Sequence, residues 1–462
     1  MLLRLTAFRT TVLLFASLLA ASGGRADDSR AWKAGVASVA ITPKDSVWLA
    51  GYASRAKPAE GTLTELHAKA LALEDAAGAR AVIVTTDLIA IPRVLREQVC
   101  AEVQARHRLP PAALMLNCSH THCGPVVKDD LEMSVIYQLD EVQQQRVEVY
   151  FVELKDKLAR LIGDALNDLQ PAKLGYSHAR CGFAMNRRLP TAQGFQNSPF
   201  PDGPVDHDVP VLRVESPEGQ LRAIAFGYAC HNTTTSLQQY NADYAGYAQR
   251  EIERQHPGAT ALFVLGCGGD QNPYPRGQIE WAITHGKSLA AAVEAALLPE
   301  AKPIRGSLKT ALESVELEFA PVTRNDLLQR LESKDVYERR GAELLLAEAE
   351  REGKVRESYS YPIQIVQLGD GLTLVALAGE VVVDYSLRLK RELGDSPVWV
   401  AGYSNDVFAY IPTQRILREG GYEGAGAMRY TALPGPFQPS VEDKIVDQVH
   451  NLVQRLRTDS NK

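Results

Sequence analysis

Six short apolar runs, each ending in a polar or glycine-rich cluster, organise this chain: 81–87, 113–120, 223–231, 261–270, 372–380 and 398–406. Four to eight apolar, often β-branched residues between turn signals read as strands buried on both faces. Between them, 92–106, 142–169, 245–255, 278–298 and 381–393 carry apolar residues at three- and four-residue spacing, the period of an amphipathic helix. Strands alternating with helices predict an α/β fold, with a mainly parallel or mixed sheet covered by helices. Ligands in such sheets sit outside the carboxyl ends of the strands, so the polar clusters there are expected to converge on one site.

Two stretches break the pattern. Residues 180–209, rich in Pro, Gly and Asn, read as a loop that forms a rim or lid. Residues 324–357 are charged, with Leu327, Leu328, Leu331, Leu344, Leu345 and Leu346 at apolar positions, and predict a surface helical hairpin with a solvated charged face. This hairpin is read as an insertion in one domain spanning 27–462.

The N-terminus adds a destination. Arg4 and Arg9 precede the apolar run 11–21, and Gly24-Arg25-Ala26 supplies small residues for cleavage, the pattern of a signal peptide over 1–26. The run is too short to cross about 30 Å of hydrocarbon comfortably, which predicts export to a periplasm or the medium after cleavage. Composition changes little: 45% hydrophobic and 23% charged residues suit an ordinary globular core. A net charge of -6 carries no basic nucleic-acid footprint. None of the six cysteines forms a CxxC pair, which argues against a thiolate zinc knuckle. Small buried residues packing at strand ends is the expectation for each.

Histidine is scarce, ten in the chain, yet two stand together in Ser119-His120-Thr121-His122. On an extended strand exit, an i, i+2 pair points both imidazoles to one side. That suits zinc binding, or one ligand beside one acid/base group. His231 also ends an apolar run and leads into Asn232-Thr233-Thr234-Thr235. Glu380 does the same after Ala378-Gly379, and a glutamate there is costly to bury unless paired or bound to metal. A helix N-terminal position, favoured by the macrodipole, is compatible with either role. Gly266-Cys267-Gly268-Gly269-Asp270 lets backbone approach a ligand. It has neither the P-loop lysine nor GxGxxG, so nucleotide binding is excluded.

Ordered strings run through nearly the whole mature chain: Ser119-His-Thr-His-Cys-Gly-Pro125, Met185-Asn-Arg187, His231, Asp243-Tyr-Ala-Gly-Tyr-Ala248 and Gly269-Asp-Gln-Asn-Pro273. Ala378-Gly-Glu380, Tyr410-Ile-Pro-Thr413 and Tyr422-Glu-Gly424 follow. Together they resemble the catalytic domain of the neutral (alkaline, non-lysosomal) ceramidase family. The resemblance implies one zinc ion held by His120, His231, Glu380 and Tyr410, with His122 as general base. It implies substrate or oxyanion contacts from Arg187 and Tyr422, and hydrolysis of a small-molecule or lipid amide of the N-acylsphingosine type. Such a substrate leaves room for peripheral membrane contact.

Two departures stand out. The family's serine in Gly-Asp-x-Ser-Pro is Asn272 here, which retains an amide donor for an oxyanion but is no nucleophile. The stretch between Asp270 and Glu380 reads as shorter than in the family, and the chain ends soon after 441–456, without the β-sandwich that follows there. These departures keep two alternatives open: a metallohydrolase of the same fold acting on a smaller amide or ester, and a non-catalytic exported zinc-binding protein.

Overall fold

All six apolar runs contain strands, which pair with one another in parallel two by two, while most other strand pairs run antiparallel. The computed structural model describes residues 32–129, 133–394 and 396–458, and the expected signal peptide lies outside them. The largest sheet follows the order Thr260–Leu265, Leu221–Tyr228, Asp208–Glu215, Gln170–Arg180, Trp32–Ala40, His67–Glu74, Arg80–Thr86, Leu114–Cys118. Only its two outermost pairs are parallel. The pairs between are antiparallel. A four-stranded sheet joins Leu308–Glu318, Ser358–Leu368, Leu372–Leu377 and Val398–Ala401, and only its last pair is parallel.

The sheets are therefore mixed, not mainly parallel. Some of the strands that escaped the sequence reading have one covered and one wetter face. Leu308–Glu318, for example, buries only Leu308, Ala311 and Leu317 fully. Such strands need no crossover helix and show no continuous apolar run. The loop expected at 180–209 is also corrected. Strands Ala184–Thr191 and Gly194–Phe200 form a hairpin that pairs with Gln271–Pro273. Its outer strand is largely exposed, so turn-forming residues mask a strand that no apolar pattern announces.

The helices match the sequence periodicity. Glu141–Asn167 starts where Asp140 accepts a hydrogen bond from Gln143 N–H, and it buries Val147, Phe151, Leu154, Leu158 and Ile162. Arg324–Arg330 and Val336–Glu352 form the expected hairpin, which opens with a capping box between Thr323 and Asp326. Leu327, Leu345 and Leu346 give it a small cluster of its own. The main cores lie against the large sheet and between the four-stranded sheet and the helices Val383–Glu392 and Val441–Thr458. All six cysteines are buried and free. Among the described residues, no helix is long and apolar enough to cross a membrane.

One buried amide ties the sheets together where the site forms. Asn117 Nδ2 donates to Gly402 O at 2.8 Å and Ser404 Oγ at 3.1 Å, while its Oδ1 accepts from Leu265 N–H at 2.8 Å. The strand ending at Cys118 is thus held to Thr260–Leu265 and to the exit of Val398–Ala401. A buried amide is tolerated because these bonds use both its donor and acceptor groups.

Candidate metal centre

The strand Leu114–Cys118 ends two residues before His120, whose φ of 58° is left-handed. The histidine pair is therefore not on extended backbone as the sequence suggested. The chain turns sharply at His120, a conformation that costs a non-glycine residue on the order of 1–2 kcal/mol. The two imidazoles nevertheless meet, with His120 Nε2 and His122 Nε2 3.1 Å apart. His231 follows the strand Leu221–Tyr228 and arrives opposite, its ring centroid 4.9 Å from that of His120.

Glu380 and Tyr410 come from a short parallel pairing in which they face each other in register. Gly379, at a φ of 75°, makes the approach possible: a Cβ there would lie 2.6 Å from Ile411 Cγ1 and 2.7 Å from Ala409 O. Glu380 Oε2 lies 3.2 Å from His120 Nε2 and 3.1 Å from His231 Nε2. Tyr410 Oη lies 3.2 Å from His231 Nε2.

The protons on these rings follow from their other partners. His120 Nδ1 meets Ile89 O at 2.6 Å, and His231 Nδ1 meets Gly268 O at 2.6 Å. A carbonyl only accepts, so each Nδ1 carries a hydrogen, and in the neutral ring each Nε2 presents a lone pair. Two nitrogen lone pairs then face one carboxylate oxygen. That arrangement is repulsive unless a cation lies among the acceptors. The three imidazoles alone bring their ligand atoms within 4.8 Å of one another and could hold a metal ion. With the carboxylate and the phenol, the donor set fits zinc.

Electrostatics sharpen the picture. Burial lowers the pKa of His231 to about 4, and the nearby Arg187 charge adds to the shift. Burial likewise takes His122 well below the usual imidazole range, helped by His120 and His231. For Glu380, burial pushes the carboxyl up, but positive charge and hydrogen-bond donation at His120 and His231 outweigh it and take the group well below the usual carboxylate range. Burial raises the Tyr410 phenol, opposed by Arg187.

Arg187 projects from the hairpin strand Ala184–Thr191 and divides its donors three ways. Nε binds Glu423 Oε1 at 2.8 Å, Nη1 binds Asn272 Oδ1 at 3.2 Å, and Nη2 binds Tyr410 Oη at 3.0 Å. Arg188 grips the other oxygen of Glu423 at 2.6 Å. The guanidinium of Arg187 sits 5.6 Å from the ring centres of both Tyr410 and Tyr422. A buried carboxylate between two arginines fixes the fork in place.

A cavity of about 380 Å³ opens onto this cluster. His120, His122, Glu380, Tyr410 and Tyr422 line its polar end, and Ile89, Val126, Ile136, Val407 and Met428 line much of the rest. All eight site residues expected from the sequence gather here. Arg187, His231 and Asn272 are buried just outside the cavity lining, and the Asn272 carbonyl already accepts from Arg187. Sequence reasoning missed Arg188, Glu423 and Tyr403. Tyr403 Oη contacts Glu380 Oε2 at 3.4 Å. Glu423 stands in the Tyr422-Glu-Gly424 string, but its partner Arg187 lies 236 positions away, and no local pattern links them.

Comparison with known proteins accords with this geometry. A family model described as neutral/alkaline non-lysosomal ceramidase, N-terminal, matches residues 32–293. The neutral ceramidase of Pseudomonas aeruginosa is 27% identical over 276 residues, which are 57% of this chain and 40% of that protein. Neutral ceramidase A of Dictyostelium discoideum is 26% identical over 272 residues, 54% of this chain and 37% of that protein. These alignments therefore span well under half of the relatives' lengths. The crystal structure of the Pseudomonas aeruginosa neutral ceramidase superposes with a TM-score of 0.70 at 21% identity, covering 90% of this chain and 73% of that one. Because the superposition covers 90% of the chain, the shared fold extends beyond residue 293. The chain belongs to the neutral/alkaline non-lysosomal ceramidase family.

Proposed function

We propose that this protein is an exported zinc-dependent hydrolase that cleaves an amide bond, with ceramidase-like, N-acylsphingosine amidohydrolase-type chemistry. The observation that carries the reading is the convergence of the His120 and His231 Nε2 atoms on one Glu380 carboxylate oxygen at the end of an apolar cavity. His120, His231, Glu380 and Tyr410 would hold the zinc. When bound, zinc acidifies a water to a pKa of about 7 and polarises the carbonyl it faces.

The protein's own groups divide the remaining work. His122 lines the cavity, and its buried Nδ1 has no hydrogen-bond partner among the described residues. Unlike His120 and His231, it is not locked into one tautomer. It accepts a proton at Nε2 and returns it to the leaving amine. Arg187 orients the Tyr410 oxygen towards the imidazoles. Tyr422, on the cavity wall beside Tyr410, supports the oxyanion, a contribution typically worth about 3–4 kcal/mol per donor.

The test is metal content together with a panel of N-acyl amines and esters on the mature protein. The reading expects about one zinc per chain and loss of both zinc and turnover in His120→Ala. Full amide turnover by metal-free protein would overturn it. A second reading, a hydrolase of a compact amide or ester, draws on the cavity size. A volume of about 380 Å³ lies near the lower end of ligand pockets. Turnover confined to short-chain compounds would select it. Zinc binding without any hydrolysis would instead select a non-catalytic binder. Export is tested by sequencing the amino terminus of secreted protein, which should begin near Asp27.

A further inference from the structure

The helical hairpin of residues 324–352 contributes no residue to the cavity lining, yet it stands directly behind the wall. Tyr337, Arg340 and Gly341, at i, i+3 and i+4, share one face of Val336–Glu352. Tyr337 Oη donates to Ala53 O at 3.4 Å, and its ring packs edge-on against Tyr430 at 4.9 Å. Arg340 Nη1 donates to Val135 O at 3.1 Å and Ile136 O at 3.5 Å. A Cβ on Gly341 would lie 3.2 Å from Thr431 O, so the helix lies close against that segment. Ala53, Ile136, Tyr430 and Thr431 all line the cavity. One helix face thus braces three wall segments far apart in sequence.

Behind the wall lies a second cavity of about 290 Å³, between the hairpin and residues 425–436. Met428 and Thr431 line both cavities, so a single strip of chain separates them. The hairpin's apolar cluster is separate from the two main cores, and polar bonds make much of its attachment, including Arg429–Asp335 at 2.6 Å. Loosening it would not empty either core.

We propose that this hairpin sets the length of acyl chain the site admits, selecting compact substrates, with Tyr337 and Arg340 as positioning residues. Docked, it holds the Met428–Thr431 strip in place as the end wall. Released, the strip yields and the two cavities merge into one longer channel. The proposal rests on the amide-hydrolase reading only for the kind of compound that enters, so binding is measured separately from turnover.

The experiment titrates acetyl, octanoyl and palmitoyl hydroxamates into the zinc-loaded, full-length mature protein by calorimetry. Tyr337→Ala and Arg340→Ala should raise palmitoyl affinity relative to acetyl by about ten-fold, the scale of a methylene or two in an apolar pocket. Acetyl affinity should stay unchanged. In turnover the same change should enter KM for long-chain amides and leave kcat for the shortest amide alone. Tyr337→Phe and Arg340→Met, milder substitutions that keep most of the packing, carry the decision if the alanine variants fail to fold, and should shift preference in the same direction. Affinities that change by one common factor at every chain length, or that do not change at all in folded variants, would overturn the proposal. If chain-length selection appears but no amide is hydrolysed, the functional reading falls and the hairpin's role stands.

Discussion

Asp270 sits among the residues that hold Arg187 and Glu380 in place, its Oδ1 accepting from Val383 N–H at 2.8 Å and its Oδ2 from Asn186 Nδ2 at 3.0 Å. Burial, with the Glu423 and Asp384 charges adding to it, pushes its pKa up to about 7 against the Val383 hydrogen bond. Because the folded value lies above the unfolded one, its stability contribution is complete at low pH and is lost as pH rises through about 7. Asp270→Asn removes that titration. Urea midpoints should show the parent losing stability relative to the variant between pH 5 and pH 8, on the order of 3 kcal/mol at most. Parallel pH profiles for the two proteins would contradict this. At Arg187 the geometry matters as much as the charge. Lysine keeps the charge but cannot bind Glu423, Asn272 and Tyr410 together, so Arg187→Lys should lower kcat about a hundred-fold while zinc content stays near that of the parent. Gly51 presents a tighter constraint: it has a φ of 95°, and a Cβ there would lie 2.5 Å from the His122 ring. Gly51→Ala should depress kcat by displacing that imidazole, with thermal stability measured in parallel to separate the two effects.

At the scale of elements, the site depends on strands from different sheets ending at one place. Asn117 is the side chain that joins them. Asn117→Ala strands the buried Leu265 N–H, which costs about 1–3 kcal/mol without a partner, whereas the Gly402 carbonyl keeps Ser404 Oγ at 2.8 Å. Denaturant unfolding should register a loss of that order, and zinc affinity should fall because His120 lies three residues further on. The apolar strands and the long helices were legible in the sequence, since their signals lie within a dozen neighbouring residues. Strands such as Ala184–Thr191 were not, because turn-forming and charged residues fill an edge hairpin. That omission matters, as the missed strand carries Arg187 and Arg188.

For the whole molecule, a ligand that binds only the folded state stabilises it by mass action. Chelation should therefore lower the melting temperature, and readdition of zinc should restore it. The expected difference is about 4 kcal/mol when free zinc exceeds its dissociation constant a thousand-fold. Identical melting of metal-free and zinc-supplemented protein would argue against a metal bridging the sheets. The stabilisation should be largest for a site whose ligands come from distant parts of the chain, as His120, His231 and Glu380 do.

The sequence alone determined that His120, His231 and Glu380 would stand at strand exits, because where an apolar run stops is a local property of neighbouring residues. It also supplied the resemblance that grouped them with Tyr410. Only the tertiary structure decided that Ile89 O and Gly268 O would orient the imidazole lone pairs, that Glu423 would anchor Arg187, and that a charged hairpin would brace the cavity wall. Those pairings join residues up to more than two hundred positions apart, and packing, with its demand that each buried polar group find a partner, selects among them.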